Sequence, residues 1–126
     1  MPDPIIPTPQ DAALLMQDTT TKTAAYNTPG LDLGSGYAPG GLGQSVAAVV
    51  NVTALDTGDG NETYSFVLQD SADNVSFAPV GALTGVTAIG VVAVKGRVTR
   101  RYVRLALTAG GTTPSITFKA WLNPLP

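Results

Sequence analysis

The sequence predicts an all-β protein, an antiparallel β-sandwich of jelly-roll-like form behind an extended N-terminal arm. Short apolar runs with strand alternation recur at roughly ten-residue spacing, and the connectors between them are built from Gly, Asp and Asn. No helix-length amphipathic segment stands between the runs, which argues against βαβ units. Charged residues make up 13% of the chain while it holds 14 glycines and 10 prolines, a composition suited to strands joined by tight turns. At 126 residues it fits one domain, able to bury roughly two-thirds of the surface its unfolded chain exposes.

The arm is assigned to residues 1–20 and the sandwich to 21–126. Pro2, Pro4, Pro7 and Pro9 remove the donors a strand ladder needs and predict an extended, polyproline-like start. Gln10–Asp18 carries the only helical period, with Thr8 as N-cap and Pro9 in the first turn. Such a segment is too short to hold alone in water. Ile5, Ile6, Leu14, Leu15 and Met16 are therefore expected to dock, either on this domain's own sheet or on a neighbouring subunit.

Thr-rich alternation up to Tyr26, a turn from Asn27 to Gly30 and the short LDL predict two short strands, followed by a glycine-rich loop ending near Gly43. That loop holds Gly34 and Gly36, but its third glycine, Gly40, comes one residue late for a dinucleotide fingerprint. In SVAAVVNVTAL the inward set is Val46, Ala48, Val50, Val52 and Ala54; in TYSFVLQ it is Tyr64, Phe66 and Leu68. DTGDGNE and DSADN read as the turns after these two strands. VSFAPV, VTAIGVVAV, RRYVRLAL and SITFKAWL complete the set, the last three divided by KGRVT and TAGGTTP.

Composition narrows the function. The chain has no cysteine, so no disulfide framework or thiolate metal site is available and folding in a reducing cytoplasm is expected. It has no histidine either, which removes the commonest general base and the usual zinc ligand. MPDPIIPTPQ lacks the basic and apolar regions of a signal peptide, and no apolar run approaches the ~20 residues of a membrane span. Asp56, Asp59 and Glu62 raise the question of a calcium loop, but Gly58 stands where the second oxygen ligand belongs, so the reading is a hairpin turn. With the carboxylates in turns and no apolar pocket in view to raise one pKa, the chain reads as a non-enzyme without cofactor or metal.

Charge is segregated along the chain. Residues 1–73 hold all nine acids against one base, a balance of −8; residues 74–126 hold six bases and no acid, a balance of +6. Arg97, Arg100, Arg101 and Arg104 stand within eight residues. In RRYVRLAL, Val103, Leu105 and Leu107 face the core, which turns Tyr102 and Arg104 outward together with Arg100 and leaves Arg101 at the strand end. In the last strand Ile116, Phe118, Ala120 and Leu122 form the core face; Thr117, Lys119 and Trp121 form the other, where an outward Trp121 marks an interface and an inward-packed one marks a strand buried on both faces. An acidic molecule with so few stacking aromatics is not expected to bind nucleic acid. The segregated charge instead suits contacts with copies of itself or a patterned neighbour.

Two stretches carry a resemblance: NETYSFVLQDSADNVSFAPVG, with its "D-N-x-x-F" turn, and KGRVTRRYVRLALTAGGTTPSITFKAWL, with "R-Y-[VL]-R-L" feeding a Gly/Thr loop. Together with the Thr/Ala-rich opening QDTTTKTAAYNTPGLDLGSG, they resemble the capsid cement (decoration) proteins of tailed double-stranded DNA bacteriophages. The resemblance implies a homotrimeric structural protein made in the host cytoplasm and carried on the outer surface of the virion's icosahedral capsid, where it bridges neighbouring major capsid proteins. It implies no membrane and no small-molecule substrate. Under it, Arg97, Arg100, Arg101 and Arg104 are expected to contact acidic groups of a neighbour, with Trp121 and the arm residues as further interface. The alternative is a carbohydrate- or receptor-binding β-sandwich module of a phage fibre, which needs outward aromatics from among Tyr26, Tyr37, Tyr64, Tyr102 and Trp121.

Overall fold

A computed structural model of the chain describes residues 15–33 and 44–124. Ile5, Ile6, Leu14 and the Pro-rich start lie outside the described residues, as do the glycine-rich stretch with Tyr37 and the last two residues. Nine strands are described: β1 (Leu15–Lys22), β2 (Tyr26–Asn27), β3 (Leu31–Asp32), β4 (Gln44–Leu55), β5 (Thr63–Ser71), β6 (Ala78–Thr84), β7 (Gly90–Val98), β8 (Tyr102–Gly110) and β9 (Ile116–Pro124). A first sheet has the order β1-β9-β4-β7; a second has β2-β8-β5-β6, with β3 also on β8. Every pairing is antiparallel. The chain changes sheet at each connection except β2–β3 and β5–β6, which is the winding of a jelly roll.

Alternation places the core between the sheets. Val46, Ala48, Val50 and Val52 from β4 and Ile116, Phe118, Ala120 and Leu122 from β9 meet Tyr64, Phe66, Leu68, Val103, Leu105 and Leu107 from β5 and β8. Phe66 and Phe118 touch edge to face across the layer at 5.4 Å. The Tyr64 hydroxyl, inside this core, donates to the Asp56 carbonyl at 2.6 Å and accepts from the Ser115 amide at 2.9 Å, which ties the end of β4 to the start of β9.

Several sequence expectations are corrected. Leu15–Asp18, assigned to the end of a helix, are strand, and β1 satisfies its backbone on β9. Met16, on the opposite parity from Leu15, enters the core at 4% exposure. Ala54, expected inward, is exposed, because a second shift between Val52 and Ala54 reverses the parity and brings Leu55 against the core instead. β6 and β7 run later than VSFAPV and VTAIGVVAV, and KGRV belongs to β7 rather than to a turn. The glycines explain the shift. A Cβ on Gly81 would collide with the Lys95 carbonyl, and one on Gly96 would lie 2.7 Å from the Val80 carbonyl. These are strand glycines where β6 and β7 backbones come together, while the turn is made by Gly85 at φ 74°.

One edge is assembled in pieces. Between β2 and β3, buried Thr28 donates its amide to the Leu105 carbonyl and accepts the Leu105 amide on its hydroxyl, both at 2.9 Å. The side chain thus continues along β8 a ladder that Pro29 interrupts.

Candidate functional site

The four arginines fall on the β7–β8 corner, but they do not form one patch. Arg97 is an exposed residue of β7 opposite Ser45, on the outer face of the first sheet. Arg100 and Arg101 occupy the bend before β8 and are exposed. Arg104 lies on the outer face of the second sheet, opposite Gln69. The corner therefore distributes positive charge around one end of the sandwich.

Two of the four are engaged within the chain. Pairing of β3 with β8 sets Asp32 beside Tyr102, and Arg101 donates Nε to Asp32 Oδ1 at 2.7 Å and a second nitrogen to Oδ2 at 2.9 Å. Its guanidinium also stands 5.2 Å from the Tyr102 ring centre. With side chains 44% and 45% exposed, this fork is screened by water and adds little to stability. Arg104 donates Nε to Gln69 Oε1 at 2.7 Å and lies 4.0 Å over the Phe77 ring. Arg97 and Arg100 make no ion pair or hydrogen bond among the described residues, which leaves them as the two of the four arginines available to a partner.

The β5–β6 turn supports this end. Asp73 accepts the amides of Val75 and Ser76 at 2.9 Å and the Ser71 hydroxyl at 2.8 Å. Those donors hold its carboxyl well below the usual carboxylate range, at about 2, with the Ser76 amide contributing most. Asn74 adopts a left-handed φ of 62°, and its carboxamide packs on Gly30 so closely that a Cβ there would collide with it. Asp70, buried at the end of β5, accepts the Thr99 amide at 3.1 Å. None of these partners was evident from sequence: Asp32, Gln69 and Phe77 reach the arginines only through strand pairing between distant segments. The one signal was Asp32 itself, an acid inside the apolar LDL.

At the opposite end, Asp56 caps its own turn through the Gly58 amide and Asp59 accepts the Thr113 hydroxyl at 2.8 Å. Both carboxylate oxygens of Glu62 are buried without a hydrogen-bond partner. Among the described residues no three acids come together as a metal site. A groove of about 320 Å³ runs past Glu62, Tyr64 and Val86, but Glu62 is the sole carboxylate among its lining residues, so it does not assemble a carboxylate pair.

Trp121 combines both sequence alternatives. It occupies the outer parity of β9, flanked by Leu15 of β1 and Val49 of β4, yet it is only 6% exposed, and its indole Nε1 is buried without an acceptor among the described residues. Leu15 is half-buried beside it, whereas Met16 has gone to the core. Among the described residues, the aromatics that a sugar-binding groove would use are engaged within the chain: Tyr64 is in the core, Tyr26 bonds Gln17, and Tyr102 and Phe77 stand beside arginines.

Compared with known proteins, the chain matches no family model and no curated sequence.

Proposed function

We propose that the protein is a capsid cement protein: a trimer that decorates the outer surface of an expanded phage head and bridges neighbouring major capsid proteins. The observation that carries this reading is the division of the arginine corner. Arg101 and Arg104 brace the end of the sandwich, and Arg97 and Arg100 remain exposed on either side of the β7–β8 bend. A rigid end with two unspent guanidiniums suits charge-assisted contact with a neighbour's carboxylates. The two stretches that resemble cement proteins support it further, because they contribute β5, β6 and β8 to one continuous sheet. The fibre-module alternative draws less support from the described residues, where Tyr64 and Trp121 are buried and Tyr26 and Tyr102 are engaged by neighbouring side chains.

The test is co-sedimentation of the purified protein with expanded, undecorated tailed-phage heads, with its mass measured in parallel by light scattering. Binding as a trimer that weakens with added salt is expected, and Arg97→Ala with Arg100→Ala should abolish it while leaving the fold unchanged. No binding at low salt, or binding indifferent to both substitutions, overturns the reading. Sensitivity should be lower for Arg101→Ala, whose first effect is loss of the Asp32 fork.

A further inference from the structure

We propose that the outer face of the first sheet around Trp121 is a seat for the Pro-rich N-terminal segment of the same chain, residues 1–14. The inference stands independently of the capsid reading. Trp121 and Ala47 are buried at 6% and 4%, yet neither belongs to the core between the sheets. Both lie on a face whose β7 members Val91, Ala93 and Lys95 are exposed and whose Leu15, Val49 and Lys119 are only half-buried. Burial on the outer parity calls for a cover, and the buried indole N–H, lacking an acceptor among the described residues, calls for a carbonyl.

The segment before β1 answers both needs. Leu15, the first residue of β1, pairs directly with Trp121, so the chain arrives beside the indole. Fourteen residues precede it, and the seven between Pro7 and Leu15 span up to ~25 Å, enough to turn back across the face. The segment holds Pro4-Ile5-Ile6-Pro7, with prolines at both ends of a three-residue step. That is the spacing read by aromatic grooves, in which an indole packs on the polyproline ridge and its N–H donates to a ridge carbonyl. Four prolines without amides leave the segment rich in acceptors. Charge is complementary as well: the segment carries Asp3 and Asp11, and the surface carries Lys119 beside Trp121 and Lys95 and Arg97 on β7.

The chain has one tryptophan, so its fluorescence and its single indole N–H resonance report on this site alone. In the full chain the emission should be blue, poorly quenched by acrylamide, and the indole proton slow to exchange. Pro4→Ser with Pro7→Ser, which alters no described residue, should move the emission to longer wavelength, raise quenching and speed exchange, with the far-ultraviolet spectrum unchanged. Deletion of residues 2–9 should do the same. Unchanged emission and exchange in both variants overturn the proposal. A red shift of the full chain on dilution alone also overturns it, by assigning the seat to the segment of a second copy.

Discussion

The two flanks of the sandwich are closed by opposite means. On one, β6 and β7 come together backbone to backbone, with Gly81 and Gly96 as the residues that permit it. On the other, β1 and β2 are joined by side chains: the Tyr26 hydroxyl donates to Gln17 Oε1 at 2.7 Å, and the Lys22 ammonium stands 3.9 Å from the Tyr26 ring centre. The first arrangement is close because nothing intervenes, and so any added atom opens it. The second is held by long groups that can rearrange, so losing one costs a contact and not the geometry.

Substitutions at the glycine flank should therefore have the largest effects. Gly81→Val is expected to destabilise by about 3 kcal/mol, read as a lower midpoint in urea unfolding. Gly96→Ala, where the obstruction is milder, should cost about 2 kcal/mol in the same assay. Equal stability of Gly81→Val and the parent would mean that β6 and β7 can part freely, and the contrast between flanks would fail. At the side-chain flank, Tyr26→Phe should cost about 1 kcal/mol and Lys22→Ala about 0.5 kcal/mol. Combining Gly81→Val with Tyr26→Phe should give the sum of the two within about 0.5 kcal/mol, as the flanks lie on opposite sides of the sandwich.

The smallest effect is a pH dependence at the turn that feeds β6. Because Asp73 has a folded-state pKa near 2, depressed below its unfolded value, its contribution is complete above the ordinary carboxylate range and is lost as pH falls through about 2. Amides of Val75 and Ser76 should lose hydrogen-exchange protection over that interval, and Asp73→Asn should remove the titration. Protection that stays constant down to pH 2 would place the turn's stability elsewhere.

Alternation made β4, β5, β8 and β9 readable, inward faces included up to the register shift that exposes Ala54, because the period is two. The glycine flank was not readable in the same way. Gly81, Gly85, Gly90 and Gly96 look alike in a sequence, but Gly85 and Gly90 have positive φ while Gly81 and Gly96 are strand residues against a neighbouring backbone. Reading Gly81 and Gly96 as breaks, and Gly90 as the interior of a strand, moved β6 and β7 towards the N-terminus. The arginines show a related limit. The outward parity of Arg100 and Arg104 followed from Val103, Leu105 and Leu107, but Asp32 is 69 residues from Arg101 and Gln69 is 35 from Arg104, separations over which no local pattern operates. For Trp121 the outer parity was legible, and its burial was not, since burial depends on what crosses the face.

The pieced strand at Thr28 bears on how copies of the chain meet. A sheet edge with a full row of free amides and carbonyls invites another chain to extend it, which leads to open-ended growth. Here the segment lying outside β8 offers no such row: Pro29 has no amide, and the amide and hydroxyl of Thr28 are already turned inward to Leu105. This border cannot template a further strand. Closed assemblies that meet through the ends or faces of the sandwich remain available to it, and filaments grown strand by strand from this side do not.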